Sequence, residues 1–191
     1  GKLADKIICI HEACYKQNSK FENASLIENT VEPFAYDPGS RSFSSFMTLC
    51  RIVDYYLSED LIDTYGSFKH PFYIYGYYVE DDFSNKIHEA ATGKNVHIMD
   101  WHNNIVEVMD KHSAYVFFQP DTHGDRCYGL SVMEAAVYGL PIIALRRTQN
   151  YQKYLIDGYN GFVVDSKEEL KERCNVLSSD PVAYKEMLAN A

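Results

Sequence analysis

The part of this sequence best equipped for chemistry is a strand-like run, Ala114-Tyr-Val-Phe-Phe118, a polar loop, and then Gly129-Leu-Ser-Val-Met-Glu134. The free N–H groups of a helix's first turn, with the positive end of its dipole, attract anions. If a helix opens at Gly129, then Tyr128, Gly129, Leu130 and Ser131 present those amides. Glu134 lies one turn further in, where a carboxylate can accept two hydrogen bonds from a vicinal diol such as a ribose. The same residues also fit a plainer reading, a structural strand–loop–helix unit with a solvated Glu.

Other groups promise less. His97, His102 and His112 share a region but lack the HxxxH spacing of a helical metal pair, so they read as surface or packing residues and no metal is expected. Glu80-Asp-Asp82 reads as the capped, solvated start of a helix. Arg146 and Arg147 follow a strand and suit either phosphate or water. Tyr73, Tyr75, Tyr77 and Tyr78 could line a cleft, although alternation along a strand turns some of them inward.

Such residues need a scaffold. Short apolar runs alternate with amphipathic segments, the pattern of a parallel sheet covered by helices on both faces. Strands are predicted at 6–10, 25–28, 45–50, 71–75, 95–99, 114–118, 141–144 and 161–164. Helices are predicted around 13–17, 55–65, 82–91, 103–111, 130–138 and 167–177, with residues 29–42 as a connecting loop. Ligands of such sheets bind at the carboxyl ends of the strands, near the topological switch point. That directs attention to the loops after Leu49, Tyr75, Met99, Phe118 and Ala144.

Composition narrows the classes. The 191 residues, 46% hydrophobic and 24% charged, suit one globular domain. A formal charge of −9 argues against extended contact with nucleic acid, since no counterions would be released. Five cysteines, odd in number and without a CxxC pair, suit reduced thiols in a cytoplasmic protein. No apolar run approaches the roughly 20 residues of a membrane span.

The segment Arg126-Cys-Tyr-Gly-Leu-Ser-Val-Met-Glu-Ala-Ala-Val-Tyr-Gly-Leu-Pro-Ile-Ile-Ala144 resembles the donor-site signature E-G-F-G-L-x-x-x-E-A-x-A-x-G-x-P-V-[IV]-A of retaining GT-B glycosyltransferases, glycosyl transferases group 1. Gly129, Leu130, Glu134, Ala135, Gly139, Pro141, Ile143 and Ala144 match, with Tyr128 for Phe. Ile156-Asp-Gly-Tyr-Asn-Gly-Phe-Val-Val164 resembles the family's I-x-D-G-x-N-G-x-L-V turn. Fainter similarities run upstream. They join Ala4–Ile10 to the end of the N-terminal domain, with His11 in place of Ser, and Leu26–Val31 to the interdomain junction. Cys50-Arg-Ile52 is similar to the G-R-L that opens the donor site, and the strands at 73–76 and 96–99 to two further family strands.

The resemblance implies the Rossmann-like C-terminal half of such an enzyme. It spans 1–191, with an interdomain or linker-like start at 1–30 and the acceptor domain absent. The expected activity is retaining transfer, hexosyl or pentosyl, from a nucleotide-diphosphate sugar, without a cofactor or metal, and this chain alone is expected to be inactive. The amides near Tyr128–Ser131 would bind the diphosphate, Glu134 the ribose, and backbone groups around Met99 and Asp100 the base. Arg51, with Arg126, would stabilise the departing diphosphate. Three departures bear on this. Arg126 replaces the family's first Glu, Tyr56 its donor-site lysine, and Thr148-Gln149 a frequent Gly-Gly pair. Arg126 could replace the missing cation, read an anionic sugar, or mark a degenerate site.

Overall fold

Alternation along each strand builds the molecule. In the computed structural model Phe46, Phe72, Ile74 and Val116 pack on one side of a sheet, while Met47, Tyr75, Tyr115 and Phe117 pack on the other. Successive strand side chains point to opposite faces, so strands apolar on both faces must be covered twice. The structure describes residues 7–9, 16, 18–26, 41–54, 56–77, 81–119, 130–146 and 154–191. Two compact units divide the chain, Gly1–Glu32 and Pro33–Ala191.

In the first unit β1 (Ile7–Cys9) and β2 (Ala24–Leu26) pair in parallel. Both are shorter than the predicted runs, and most of the predicted helix at 13–17 lies outside the described residues.

The second unit holds β3 (Phe46–Leu49), β4 (Phe72–Gly76), β5 (Val96–Asp100), β6 (Ala114–Phe117), β7 (Ile142–Leu145) and β8 (Gly161–Val164). They form one sheet, parallel throughout, in the order β5-β4-β3-β6-β7-β8. Counted from β3 this is the 3-2-1-4-5-6 order of doubly wound nucleotide-binding sheets, whose switch point falls between β3 and β6. Helices α1 (Glu59–Gly66), α2 (Asp82–Ala91), α5 (Lys167–Ser179) and α6 (Pro181–Asn190) cover one face. Helices α3 (Ile105–Asp110) and α4 (Leu130–Val137) cover the other. The expected doubly covered α/β fold is the fold observed.

Helix ends follow capping chemistry. The predicted start of α1 near Tyr55 is four residues early, because the Ser58 side chain accepts the Leu61 N–H at 3.2 Å and opens the helix at Glu59. Asp81 caps α2 in a reciprocal capping box with Ser84, as expected of the acidic run. Helix α6 has no counterpart among the helices expected from the sequence. Asp180 accepts from Val182 and Ala183 at 2.9 and 3.1 Å, and Pro181 supplies the first turn. Gly139 ends the α4 turn at φ 79°, a conformation other residues resist.

Candidate functional site

The site grows from the end of β3. After Leu49 the chain keeps following β4, with the Cys50 N–H donating to the Tyr75 carbonyl and the Ile52 N–H to that of Tyr77, both at 3.0 Å. This close course requires Gly76, where a Cβ would lie 1.8 Å from the Cys50 carbonyl oxygen. Arg51 is held between these two bonds with its side chain exposed. Across the switch point α4 begins at Leu130. The fully buried Tyr115 of β6 lies between, its hydroxyl 2.7 Å from Ser131 Oγ and 3.4 Å from the Leu49 carbonyl oxygen.

These elements enclose a cavity of about 300 Å³ lined by Leu49, Cys50, Arg51, Tyr77, Trp101, Leu130, Ser131 and Glu134. Arg51 and Glu134, far apart in sequence, therefore share one concavity with the first turn of α4. Glu134 is half-buried, and burial pushes its carboxyl above the ordinary carboxylate range. Among the described residues neither its side chain nor that of Arg51 has a hydrogen-bond or ion-pair partner.

The opposite wall is aromatic. Tyr77 and Trp101 stack with centroids 5.2 Å apart and planes 18° from parallel, Tyr77 65% and Trp101 38% exposed. Met99 and Asp100 end β5 with exposed side chains, but the residue that reaches the cavity is the next one, Trp101. Sequence reasoning passed over Trp101, although the only tryptophan, placed just after a strand end, was a usable signal. Of the other tyrosines, Tyr75 is buried and Tyr73 packs beside the same cluster. Tyr78 lies outside the described residues, as do Arg126, Tyr128, Gly129, Arg147, Thr148 and Gln149.

The remaining sequence features fall to structure. Tyr56, at the family's lysine position, packs against the core beneath α1 and brings no cation. In the Asp-Gly-Tyr-Asn-Gly turn, Asp157 accepts the Val163 N–H at 2.9 Å, and Asn160 accepts that of Ile156 at 2.7 Å. That motif shapes the entry to β8. Arg146 pairs with both carboxylate oxygens of Asp165 at 2.8 and 3.0 Å. A second cavity, of about 430 Å³, lies near the N-termini of α1 and α5, where Lys167 pairs with Asp60. His112 is a packing histidine, 4% exposed, with Nδ1 2.8 Å from Ser45 Oγ and Nε2 2.9 Å from the Tyr75 hydroxyl. Burial lowers its pKa to about 4, so the ring is neutral at pH 7. Among the described residues no cluster of three His, Cys, Asp or Glu could hold a metal ion. No described helix is long and apolar enough to cross a membrane.

A doubly wound sheet with an exposed arginine, a half-buried carboxylate and an aromatic wall at its switch point is an architecture in which nucleotide sites are commonly built. The chain belongs to the glycosyl transferases group 1 family, whose model matches residues 71–191. Among solved structures it is similar to TarM, with 18% identity and a TM-score of 0.77, over 96% of this chain and 38% of TarM. It is also similar to Anabaena HepE in complex with UDP-glucose, with 16% identity and a TM-score of 0.77, over 99% of this chain and 58% of that one. The pneumococcal O-GlcNAc transferase GtfA, in complex with UDP and GlcNAc, matches with 18% identity and a TM-score of 0.69, over 97% and 40%. These likenesses establish the GT-B half-fold, and the chain spans about 38–58% of the structures named. No curated protein sequence matches it.

Proposed function

We propose that the switch-point cavity binds the nucleotide of a nucleotide-diphosphate sugar and presents the sugar for retaining transfer to an acceptor held by a separate domain. The observation that supports this most is the pairing of Arg51 with Glu134 in one cavity, both without protein partners among the described residues. Arg51 offers the planar fork that suits a diphosphate, and negative charge there is further stabilised by the first turn of α4. Glu134 accepts hydrogen bonds from the ribose diol. Ionisation is disfavoured by burial, and two donors from the ligand offset that cost. The Tyr77–Trp101 wall offers a π-face to the base, and stacking of this kind contributes about 1–3 kcal/mol.

In the transfer itself Arg51 would neutralise charge growing on the leaving diphosphate, an interaction stronger in the transition state than before it. A second reading, donor binding without transfer, is favoured by Tyr56, whose packing against the core leaves the family's lysine without a substitute at that position. Calorimetric titration of the chain with UDP and GDP tests the first claim. One of them is expected to bind, with affinity at least tenfold weaker for Arg51→Ala. Failure of both to bind would contradict the donor-site reading. Turnover measured with an acceptor-domain partner then separates the two readings.

A further inference from the structure

Tyr115 makes a connection that the proposed ligand contacts do not use. It is fully buried in β6, and its hydroxyl lies 2.7 Å from Ser131 Oγ at the start of α4 and 3.4 Å from the carbonyl oxygen of Leu49 at the end of β3. One phenolic hydroxyl therefore sits between the two elements that form the switch point. The Leu49 carbonyl can only accept, and the phenol has a single proton. The shorter contact places that proton on the Ser131 side, and burial holds the phenol protonated. Ser131 then accepts from Tyr115 and keeps its own proton to donate. No other partner holds the seryl hydroxyl among the described residues, and Ser131 lines the cavity together with Arg51.

Resting on the donor-site reading, we infer that Tyr115 is a positioning residue: it fixes the Ser131 hydroxyl so that its proton points into the cavity, toward a phosphate oxygen of the bound nucleoside diphosphate. A serine hydroxyl left to itself divides its time among staggered rotamers, and a ligand must then meet the cost of selecting one. Held by Tyr115, the donor is already oriented when the phosphate arrives, and its hydrogen bond to a charged oxygen is of the stronger kind. The inference separates Ser131 from Glu134 by the part of the ligand each serves. Ser131 reads phosphate and Glu134 reads ribose.

The test is a cycle of Tyr115→Phe, Ser131→Ala and the double variant. Each is titrated with UDP or GDP, whichever the native chain binds more tightly, and with the matching nucleoside, which has no phosphate. Both single variants are expected to lose about tenfold in diphosphate affinity and to leave nucleoside affinity unchanged, with the double variant no weaker than either single. Urea unfolding reports whether Tyr115→Phe remains folded. If it does not, Ser131→Ala alone must still show the phosphate-selective loss. Unchanged diphosphate affinity, losses that add in the double variant, or an equal loss with the nucleoside would each overturn the role. A native chain that binds neither diphosphate overturns the donor-site reading and this role together. Native binding with an indifferent Tyr115→Phe overturns this role alone.

Discussion

Two polar clusters sit on the same face of the sheet, and they are built in opposite ways. Around His112 the groups satisfy one another: one ring nitrogen meets Ser45 and the other Tyr75, while the Arg41 guanidinium donates to the His112 carbonyl at 3.3 Å. Around Glu134 the groups are left open: a half-buried carboxylate and an arginine face a cavity without protein partners among the described residues. The arginine is exposed to water and the carboxylate only half-buried, so leaving both open costs the fold little and keeps them accessible from the cavity. The closed cluster is what the fold needs. The open one is what the proposed ligand would use.

Predictions from this contrast separate stability from binding. The largest effect is expected at His112, where truncation removes packing, strands the Tyr75 hydroxyl and takes from Ser45 its shorter contact. His112→Ala should lower stability by about 3–4 kcal/mol in urea unfolding while nucleotide affinity stays within about twofold. Affinity falling in step with stability would break the contrast.

Acid should act on the same cluster. The folded pKa of His112 is about 4, depressed from 6.5. Above pH 6.5 the ring is neutral in both states and its contribution is fully present. As pH falls from 6.5 toward 4 the unfolded chain takes up a proton that the folded chain refuses. Stability should then decline by up to about 1.4 kcal/mol per pH unit, to a total of about 3 kcal/mol. Unfolding curves from pH 7 to pH 4 should lose this component in His112→Gln, and an identical slope in both chains would refute the assignment.

A smaller effect is expected at the aromatic wall. Trp101→Ala should weaken nucleotide and free nucleoside alike, by about 1–2 kcal/mol, with stability almost unchanged. A loss confined to the diphosphate would move the base elsewhere. The smallest effect has the opposite sign. Because burial raises the Glu134 pKa, its ionised form costs stability at neutral pH, and that cost is relieved as pH falls. Glu134→Gln should therefore be slightly more stable than the native chain at pH 7 while binding nucleotide less well. Reduced stability in this variant would show that Glu134 has a protein partner.

Much of this architecture was readable before the structure. Strand positions follow from runs such as Ala114–Phe118, and the shared edge of Arg51 and Glu134 follows from β-α alternation. The site's wall was read less well, because Trp101 acts through position and not through a motif: a single residue beyond β5 turns toward Tyr77 only once β4 and β5 are paired. Tyr115 was hidden for a related reason. In the sequence it is one apolar-looking residue of a buried strand, and only the neighbouring of β3 and β6 brings its hydroxyl between Leu49 and Ser131. The helix at Pro181–Asn190 is different, since the pair Asp180-Pro181 that caps it is a signal legible in the sequence.

Glu134 is the residue on which the account turns, and its role can be isolated by changing the ligand as well as the protein. Calorimetry would compare UDP or GDP, whichever binds, with its 2′,3′-dideoxy analogue, for the native chain and for Glu134→Ala. A site built to accept hydrogen bonds from a diol should prefer the natural nucleotide by about tenfold or more, and Glu134→Ala should erase that preference while leaving affinity for the dideoxy analogue nearly unchanged. Equal native affinity for the two ligands, or a preference that survives in Glu134→Ala, would contradict the assignment of Glu134 to the ribose.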